Sequence, residues 1–590
     1  MCGIFGYVGA KTNAAEIVLE GLKRLEYRGY DSWGVAAVPV SGRTIAVKKK
    51  AGKIGAGNVN NLPKSSRAFG HTRWATHGGV TDVNAHPHVD CTGTIALIHN
   101  GIFENYEEIK NGLLKKGHRF VSETDTEVAV HLIEEYAKTM MFTKAVQKAF
   151  NQMQGLNAII VLSVKENRLL AARNGSPLVV GFGHGENFLA SDASALLPHT
   201  KQVHYLEDNE MAIIGPDAVM LFDAGTGAAI HPTKQHLTWS AQDAEKGEYA
   251  HFMRKEIDEQ PGVIADIAAS GGAQAERLSR LMKDASHMYL VGCGTASYAA
   301  VAGEYLFSKI ATRHANVSIG SEFGYHLDFL SKKSLVAAIS QSGETMDILE
   351  SVKKAKEKGA TIMAIVNVMG SSLYRLADEK MLIGAGPEKA VASTKAFTGM
   401  LAHLVLLAYA QVGKHREGER VLTQAAWSVR AVLASETESA LRTLAKKLHT
   451  VEHIYVIGRG LSYPAALETA LKIKEISYIH AEGLAAGELK HGPLALVTKG
   501  TPCIAFLPDD ETYGANLAGA MEMKARGGFI IGVSNKPHSV FDQYIHVEDA
   551  KEATIIPNVI VGQLLAYFLT LERGLDPDMP RNLAKSVTVK

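Results

Sequence analysis

Residues 287–300 read His-Met-Tyr-Leu-Val-Gly-Cys-Gly-Thr-Ala-Ser-Tyr-Ala-Ala, and residues 453–466 read His-Ile-Tyr-Val-Ile-Gly-Arg-Gly-Leu-Ser-Tyr-Pro-Ala-Ala. In both stretches an apolar run leads through a Gly-x-Gly turn into an alanine-rich segment, a pattern that predicts a strand, a tight turn and a helix. This internal repeat predicts two copies of a parallel α/β sandwich, at 280–415 and 448–575. The stretch between Phe397 and Leu448, rich in alanine and leucine, predicts helices that bridge the copies.

A second pair of similar segments, 338–345 and 505–512, lies at nearly the same offset. The first contains the turn Ser340-Gln341-Ser342-Gly343-Glu344-Thr345, whose hydroxyls and backbone N–H groups would bind an anion at a helix N-terminus. The second has Leu-Pro-Asp-Asp at 507–510, which would repel a phosphate. The alternative is that the serines only cap a helix. Because the first turn has more hydroxyls than a cap requires, we expect one phosphate site.

The first 240 residues have a different texture, with short β-like runs separated by glycine-rich turns and only three helical segments. This pattern predicts an α+β module with stacked sheets at 2–240. A polar segment then predicts a linker at 241–279, and 576–590 is expected to be a C-terminal tail. The predicted strands are 4–8, 34–38, 68–72, 94–99, 158–164 and 178–181, and the predicted helices are 14–25, 105–116 and 126–137.

The composition is that of an ordinary globular protein of several domains. With 62 basic and 61 acidic residues among 590, there is no global field that would recruit nucleic acid or a membrane surface. Four cysteines without a Cys-x-x-Cys spacing favour a reducing cytoplasm. The longest apolar run noted, around Met400 to Val412, is too short to span a bilayer. We therefore expect a cytoplasmic protein with small-molecule substrates.

Cys2 directly follows the initiator methionine. Removal of Met1 would place a thiol and a free α-amine on one residue, and an α-amine titrates near pH ~8. A nucleophile and a candidate base would then lie together. The alternative is a small apolar residue that opens the first strand.

Five motifs together resemble one family: Cys2, His71–Gly78 (His-Thr-Arg-Trp-Ala-Thr-His-Gly), His99-Asn100-Gly101, the turn 340–345, and 581–589 (Arg-Asn-Leu-Ala-Lys-Ser-Val-Thr-Val). The chain resembles the isomerising glutamine–fructose-6-phosphate aminotransferases over nearly its whole length. The resemblance implies an N-terminal nucleophile glutaminase of αββα fold, followed by two sugar isomerase (SIS) domains. It also implies amination of fructose 6-phosphate by glutamine, giving glucosamine 6-phosphate and glutamate, the first step of hexosamine biosynthesis.

For the glutaminase half, the resemblance implies that Cys2 attacks the glutamine amide with its own α-amine as base. Asn100 and the N–H of Gly101 would hold the oxyanion. Arg73 would bind the substrate α-carboxylate and Asp125 its α-ammonium. Without the family, Arg73 would be an ordinary surface arginine and Asp125 the N-cap of a helix starting at Thr126. The other glutamine-binding residues implied are Arg28, Trp74, Thr76 and His77.

For the isomerase half, the resemblance implies a sugar site built on the first copy. Its phosphate and hydroxyl contacts would come from Cys293, Gly294, Thr295, Ser340, Gln341, Ser342 and Thr345. A second wall would come from Val391, Ala392 and Ser393. The family usually has serine where this chain has Ala296, so a hydroxyl contact would be lost there.

The same resemblance implies the catalytic groups of the sugar half. Glu475 would move the proton between C1 and C2, and Lys472 would compensate the developing charge. His491, supplied by the neighbouring subunit of a homodimer, would open the sugar ring. Lys585 would form a Schiff base with the ketose, which needs no cofactor. Sequence alone favours a solvated surface pair for Lys472 and Glu475, and a disordered tail around Lys585.

We expect no metal, because His86-Pro87-His88 and Cys91 show no fourth ligand. Two other functions stay open at this point. One keeps the glutaminase but changes the acceptor, as in phosphoribosyl amidotransferases or asparagine synthetases, against which the missing P-loop and the repeat argue. The other is a sugar-phosphate sensor with a decayed amidotransferase.

Overall fold

A computed structural model describes residues 2–237, 239–240 and 242–587. The chain divides into two compact units, residues 1–245 with 584–590, and residues 246–583. Each unit is described by itself.

The first unit has two antiparallel sheets. The larger sheet has eight strands in the order β15-β11-β9-β10-β1-β4-β2-β3, and the smaller has seven in the order β14-β13-β12-β8-β7-β6-β5. The strands are β1 (Gly3–Gly9), β2 (Ser32–Ala37), β3 (Ala46–Ala51), β4 (Arg67–Arg73), β5 (His88–Val89), β6 (Ile95–Gly101), β7 (Asn157–Ser163), β8 (Leu169–Asn174), β9 (Val179–Phe182), β10 (Glu186–Ala190), β11 (Gln202–Tyr205), β12 (Glu210–Ile214), β13 (Val219–Asp223), β14 (Ala229–Ile230) and β15 (Gln235–His236). The helices are α1 (Ala14–Leu25), α2 (Tyr106–Lys115), α3 (Asp125–Ala137) and α4 (Phe142–Gln152).

The alternation of side chains along β1 shows how the layers form. Ile4 and Val8 enter the apolar core between the two sheets, while Phe5 and Tyr7 pack on the opposite face with α1. Successive side chains of a strand point to opposite faces, so a strand that is apolar at every position is buried on both. Helices α2, α3 and α4 cover the outer face of the smaller sheet. The order of layers is therefore αββα, as the family resemblance implies, and the predicted stacking of sheets is confirmed.

The second unit contains two parallel five-stranded sheets with one topology, β17-β16-β18-β19-β20 and β22-β21-β23-β24-β25. The strands are β16 (His287–Gly292), β17 (Asn316–Ile319), β18 (Ser334–Ser340), β19 (Thr361–Val366), β20 (Glu379–Leu382), β21 (His453–Gly458), β22 (His480–Ala485), β23 (Pro502–Leu507), β24 (Phe529–Ser534) and β25 (Gln543–His546). The helices are α5 (Phe252–Asp258), α6 (Gln260–Ser270), α7 (Gly272–Asp284), α8 (Thr295–Ala311), α9 (Gly320–Phe323), α10 (Met346–Glu357), α11 (Ser372–Leu376), α12 (Lys395–Gln411), α13 (His415–Val432), α14 (Ser435–Leu448), α15 (Ser462–Ser477), α16 (Tyr513–Lys524) and α17 (Ile555–Glu572). The predicted repeat and bridging helices are confirmed.

The expectation of a linker at 241–279 is wrong for most of that segment. Helices α5, α6 and the start of α7 occupy it, and Met253, Ile257, Ile264 and Leu278 are buried in the core of the second unit. The buried apolar residues of this segment recur at helical spacing. The charged residues around them lower its mean hydropathy, which made the segment resemble a polar linker.

One helical stretch among the described residues, 551–572, is long and apolar enough to span a bilayer. It is longer than the apolar run around Met400, so the expectation that the longest such run lies there is wrong. In the structure 94% of its apolar window is buried inside the fold, so it is a core helix of the second unit.

Candidate active sites

Cys2 lines a small pocket of the first unit, at the start of β1. Its Sγ accepts the backbone N–H of Trp74 at 3.2 Å. Burial raises the pKa of the Cys2 thiol, although the Trp74 N–H and the charge of Arg73 oppose this. The thiol is therefore protonated at neutral pH and needs a base before it can attack. Met1, whose removal would free the α-amine of Cys2, lies outside the described residues.

Asn100 is held beside Cys2 at the end of β6. Its Nδ2 donates to the backbone oxygen of Cys2 at 2.9 Å, and its Oδ1 accepts from Nε2 of His71 at 3.0 Å. Burial lowers the pKa of His71 to about 3, so the ring is neutral. Its Nε2 also faces the oxygen of His99 at 3.0 Å, so Nε2 carries the proton. The N–H at His71 Nε2 thus fixes the orientation of the Asn100 amide, with Nδ2 directed at Cys2. Sequence reasoning missed this positioning role, although His71 is the first residue of the motif at 71–78.

Gly101 lines the same pocket, and its backbone has φ +124°, a value that other residues rarely adopt. A methyl group at this position would lie 1.8 Å from the carbonyl oxygen of Leu156. The backbone N–H of Gly101 is therefore held in a geometry that only glycine permits.

We expect Gly101→Ala to lower kcat for glutamine hydrolysis by about 10²-fold, the cost typical of losing one oxyanion donor. The measurement is glutamate release at saturating glutamine. Gly112→Ala is the matched control, since a methyl there meets nothing within 4 Å, and it should leave kcat unchanged. An unchanged kcat in Gly101→Ala would contradict the assignment.

Two charged residues of opposite sign line the pocket with Cys2. Arg73 is 3% exposed, so the expectation of an ordinary surface arginine is wrong. Its Nη1 donates to Gly79 O at 3.1 Å and its Nη2 to the oxygens of His77 and Gly78. Asp125 accepts the N–H of Phe103 at 2.8 Å. This arrangement suits a zwitterionic amino-acid head group.

The capping interpretation of Asp125 is wrong. Helix α3 begins at Asp125, and the N-cap is Thr124, whose side chain accepts the N–H of Glu127. The carboxylate of Asp125 instead accepts the N–H of Phe103 and the N–H of Thr126 and lines the pocket. These two backbone N–H donors hold the carboxylate of Asp125 in the orientation in which it lines the pocket.

The remaining predicted glutamine-binding residues divide into two groups. Trp74, Thr76 and His77 line the pocket, and the Trp74 ring lies edge-on to Tyr30 with centroids 5.6 Å apart. Arg28 is not among the lining residues: its guanidinium is paired with Asp192 and donates to Tyr27 Oη at 3.2 Å. The charge of Arg28 is thus paired with the buried carboxylate of Asp192.

The histidines that raised the question of a metal form a neutral cluster with His71, and His86 lines this pocket. The rings of His71 and His86 have centroids 4.2 Å apart, and those of His86 and His88 5.0 Å. Burial lowers the pKa of both His86 and His88 well below the ordinary value. Cys91 does not join them; its Sγ faces His118 and His131 instead.

The predicted phosphate turn follows β18 in the first copy. Ser340 Oγ accepts the N–H of Gly343 at 3.0 Å, and Ser342 Oγ accepts that of Glu344 at 3.1 Å. Thr345 stands at the N-cap of α10, but its hydroxyl contacts Ser340 Oγ at 3.3 Å instead of capping the helix. The hydroxyls and helix N-terminus are thus arranged around one turn. Gln341 lies in the same turn.

In the second copy, aspartates occupy the corresponding turn. Asp509 forms an ion pair with Lys536 at 2.8 Å, and Asp510 accepts both the N–H and the hydroxyl of Thr512. Carboxylates at that position would repel a phosphate, so the prediction of one phosphate site, in the first copy, stays a prediction.

Thr295 brings the first copy into contact with α15 of the second. Cys293 and Gly294 form the turn after β16, with Gly294 at φ +54°, and Thr295 starts α8. Nζ of Lys472 donates to Thr295 Oγ1 at 3.1 Å and to Glu475 Oε2 at 2.6 Å. Lys472 is fully buried and the side chain of Glu475 is 22% exposed, so the expectation of a solvated surface pair is wrong.

Glu468 is a member of this cluster that sequence reasoning missed. Its Oε1 lies 3.4 Å from Lys472 Nζ and accepts from Thr295 Oγ1 at 3.3 Å. Burial raises the pKa of Glu468 to about 8, and the charge of Glu475 acts in the same direction. Burial alone would lower the pKa of Lys472, but the two glutamates outweigh it and raise that pKa. The spacing 468, 472, 475 places all three on one helix face and could have indicated the cluster.

The other predicted residues of the sugar half lie in loops. Ser393 Oγ donates to Glu388 Oε2 at 3.0 Å, and the N–H of Val391 donates to Asp578 O at 3.0 Å. Ala392, between them, is buried. His491 is exposed at the end of the 3₁₀ helix Ala486–His491, and among the described residues it is not one of those that contact Lys472. Lys585 is half-buried in the segment that groups with the first unit.

Two family models match the chain. A glutamine amidotransferase domain matches residues 71–198, and an SIS domain matches twice, at 281–410 and 447–572. The two SIS matches correspond to the two parallel sheets, and the amidotransferase match lies within the αββα unit.

Relatives of known name match over the full length. A glutamine–fructose-6-phosphate aminotransferase (isomerising) from Pyrococcus horikoshii is 44% identical, and one from Thermus thermophilus is 41% identical, each covering 100% of both chains. Among solved structures, the C-terminal domain of glucosamine-fructose-6-phosphate aminotransferase from Francisella tularensis is 35% identical with a TM-score of 0.53, covering 57% of this chain and 99% of that one. This chain therefore belongs to the family of isomerising glutamine–fructose-6-phosphate aminotransferases.

Proposed function

We propose that this protein converts D-fructose 6-phosphate and L-glutamine into D-glucosamine 6-phosphate and L-glutamate. The observation that carries the proposal is that one chain, similar over its full length to members of this family, contains both a Cys2–Asn100 pocket and a contact between the buried Lys472 and Glu475. The first can release ammonia from an amide, and the second can move a proton between adjacent carbons of a sugar.

In the glutaminase step, Arg73 and Asp125 hold the carboxylate and ammonium of glutamine. The α-amine of Cys2, freed by removal of Met1, takes the thiol proton, and Sγ attacks the side-chain carbonyl carbon. Asn100 Nδ2 and the Gly101 N–H stabilise the oxyanion as the C–N bond breaks and ammonia leaves. Water then releases glutamate from the thioester.

In the sugar step, the turn 340–345 binds the phosphate of the ketose, with Cys293, Gly294 and Thr295 on one side and 391–393 on the other. His491 opens the ring, and Lys585 forms a Schiff base at C2 that ammonia displaces. Glu475 takes a proton from C1 and returns it to C2, giving the aldose. Lys472, whose Nζ is held by Glu475, Glu468 and Thr295, compensates the negative charge that develops on the sugar.

The active form that we propose is a cytoplasmic homodimer. The exposed position of His491 supports this, because a catalytic imidazole that does not contact Lys472 within its own chain can be supplied to the site by a partner. The balanced charge and the scarcity of cysteine support a reducing, aqueous compartment.

The test is to incubate the purified protein with glutamine and fructose 6-phosphate and to quantify both products. We expect glutamate and glucosamine 6-phosphate in equal amounts. Release of glutamate without formation of the amino sugar would contradict the proposed reaction of the sugar half. That result is expected of an amidotransferase with another acceptor. If neither product forms, a sugar-phosphate sensor is favoured, and binding of fructose 6-phosphate would then identify the protein as one.

A further inference from the structure

Four potential metal ligands converge on the outer side of the first unit. Cys91 lies in the turn between β5 and β6, His118 follows α2, and His131 and Glu134 are one turn apart on α3. Their ligand atoms all lie within 4.8 Å of one another. His118 and His131 are buried, and Cys91 is exposed, so an ion can enter from solvent.

We propose that Cys91, His118, His131 and Glu134 bind one zinc ion. This site is separate from the glutamine pocket and does not depend on the proposed reaction. It also replaces our expectation from the sequence that the chain binds no metal, which considered Cys91 only with His86 and His88.

The distances between the ligand atoms fit a tetrahedral ion. The two Nδ1 atoms of His118 and His131 are 3.4 Å apart, and they lie 3.1 and 3.0 Å from Glu134 Oε2. Cys91 Sγ lies 3.8 Å from His118 Nδ1 and 3.5 Å from His131 Nδ1. Zinc bonds of about 2.0–2.3 Å at tetrahedral angles place ligand atoms about 3.3–3.6 Å apart, and the distances observed without an ion are within about 0.3 Å of that range.

A carboxylate lies near the Nε2 atom of each ring, on the side away from the four ligand atoms. His118 Nε2 lies 3.1 Å from Glu135 Oε2, with Lys138 Nζ also within 3.5 Å, and His131 Nε2 lies 3.8 Å from Glu127 Oε1. A proton on each Nε2 then faces a carboxylate, which leaves both Nδ1 lone pairs directed at the centre. With both protons on Nε2 and no cation between the rings, the two Nδ1 lone pairs would face each other at 3.4 Å.

The donor set and its charge select zinc. A thiolate, two imidazoles and a carboxylate suit zinc better than calcium or magnesium, which take oxygen ligands. The two negative ligands balance Zn²⁺, and binding releases the thiol proton of Cys91 to solvent. Four protein ligands leave no open position, so the ion is structural.

The ion would fix the helix that forms one wall of the glutamine pocket. Thr124, Asp125 and Thr126 at the start of α3 line that pocket, and Glu127 accepts the N–H groups of Val121 and Ser122. Zinc would hold the far end of the same helical segment to the β5–β6 turn and to the loop after α2. We therefore expect the metal to act on stability.

The first experiment measures zinc by mass spectrometry after incubation with zinc chloride and desalting. We expect one zinc per chain, and strong loss in Cys91→Ser and in His118→Ala. His453→Ala is the matched control, because His453 and His480 also bring two Nδ1 atoms within 3.3 Å but have an exposed setting. Cys2→Ala should retain zinc, which excludes binding at the nucleophile.

The second experiment uses the unaltered chain, so it does not depend on the folding of variants. Cobalt in place of zinc should give the absorption bands of a tetrahedral ion and a thiolate charge-transfer band. Zinc at about 100 times its dissociation constant should raise the Tm of the chelator-treated protein by about 5–10 °C. Zinc retained in Cys91→Ser, zinc lost in Cys2→Ala, or cobalt binding without a thiolate band would each overturn the proposal.

Discussion

Cys2→Ala is expected to lower the rate of glutamine hydrolysis by about 10⁴- to 10⁶-fold, the scale seen when a covalent nucleophile is removed. The reason is that the pocket then has no thiol to attack the amide, while Arg73 and Asp125 still bind glutamine. Glucosamine 6-phosphate should still form when ammonium salts replace glutamine, because the sugar half keeps Lys472 and Glu475. The measurements are glutamate release and amino-sugar formation with each nitrogen source.

The matched control is Cys503→Ala, which removes a thiol that is buried in β23 of the second unit. It should leave glutamine hydrolysis intact. The intact mass of the unaltered protein must also show that Met1 has been removed, since Cys2 otherwise has no free α-amine. Glutaminase activity with Met1 retained, or in Cys2→Ala, would contradict the proposed step.

Glu475→Gln is expected to lower kcat for glucosamine 6-phosphate by about 10²- to 10⁴-fold, the typical contribution of a general acid–base group. The amide has nearly the same shape but cannot accept the C1 proton. Glu468 remains to accompany the buried Lys472, so the cluster keeps one carboxyl partner. Glutamate release should persist, since Glu475 belongs to the second unit and the Cys2 pocket to the first.

Glu452→Gln serves as the control for this change. Glu452 is an exposed glutamate just before β21 in the same copy of the fold, and its replacement should leave both activities unchanged. Wild-type amino-sugar formation in Glu475→Gln would refute the proton-transfer role. Loss of both activities would instead indicate a folding defect, which thermal unfolding would reveal.

Sequence reasoning predicted local structure well where the pattern of apolar residues is regular. The helix predicted at 14–25 and the six predicted strands were located within two residues of their observed ends. The reason is that period-2 and period-3.6 alternation is a local property of the sequence. Sequence reasoning failed at α5 and α7, where buried apolar residues are interspersed with charges, and at α6, which lies between them and has Asp266 as its one charged residue. There the average polarity of the segment concealed the apolar face.

For the candidate sites too, sequence reasoning predicted some features and missed others. The family resemblance implied the roles of Cys2, Asn100, Arg73 and Asp125, but not that of the histidine that orients Asn100. It also implied the roles of Lys472 and Glu475, for which sequence alone favoured a solvated pair. Burial depends on what packs against a helix, and for α15 the partner includes Thr295, 173 residues before Glu468.

The amino-acid sequence by itself determined the repeat, the stacked sheets of the first unit and the parallel sheets of the second, because these follow from periodicity and local motifs. The αββα class and the roles of the candidate site residues came from the family resemblance. Tertiary structure alone decided that Lys472 is buried between Glu468 and Glu475, that Arg28 is paired with Asp192, and that Cys91 meets His118, His131 and Glu134. The physical reason is that burial and convergence of side chains are set by contacts between segments far apart in the chain, which no local pattern encodes.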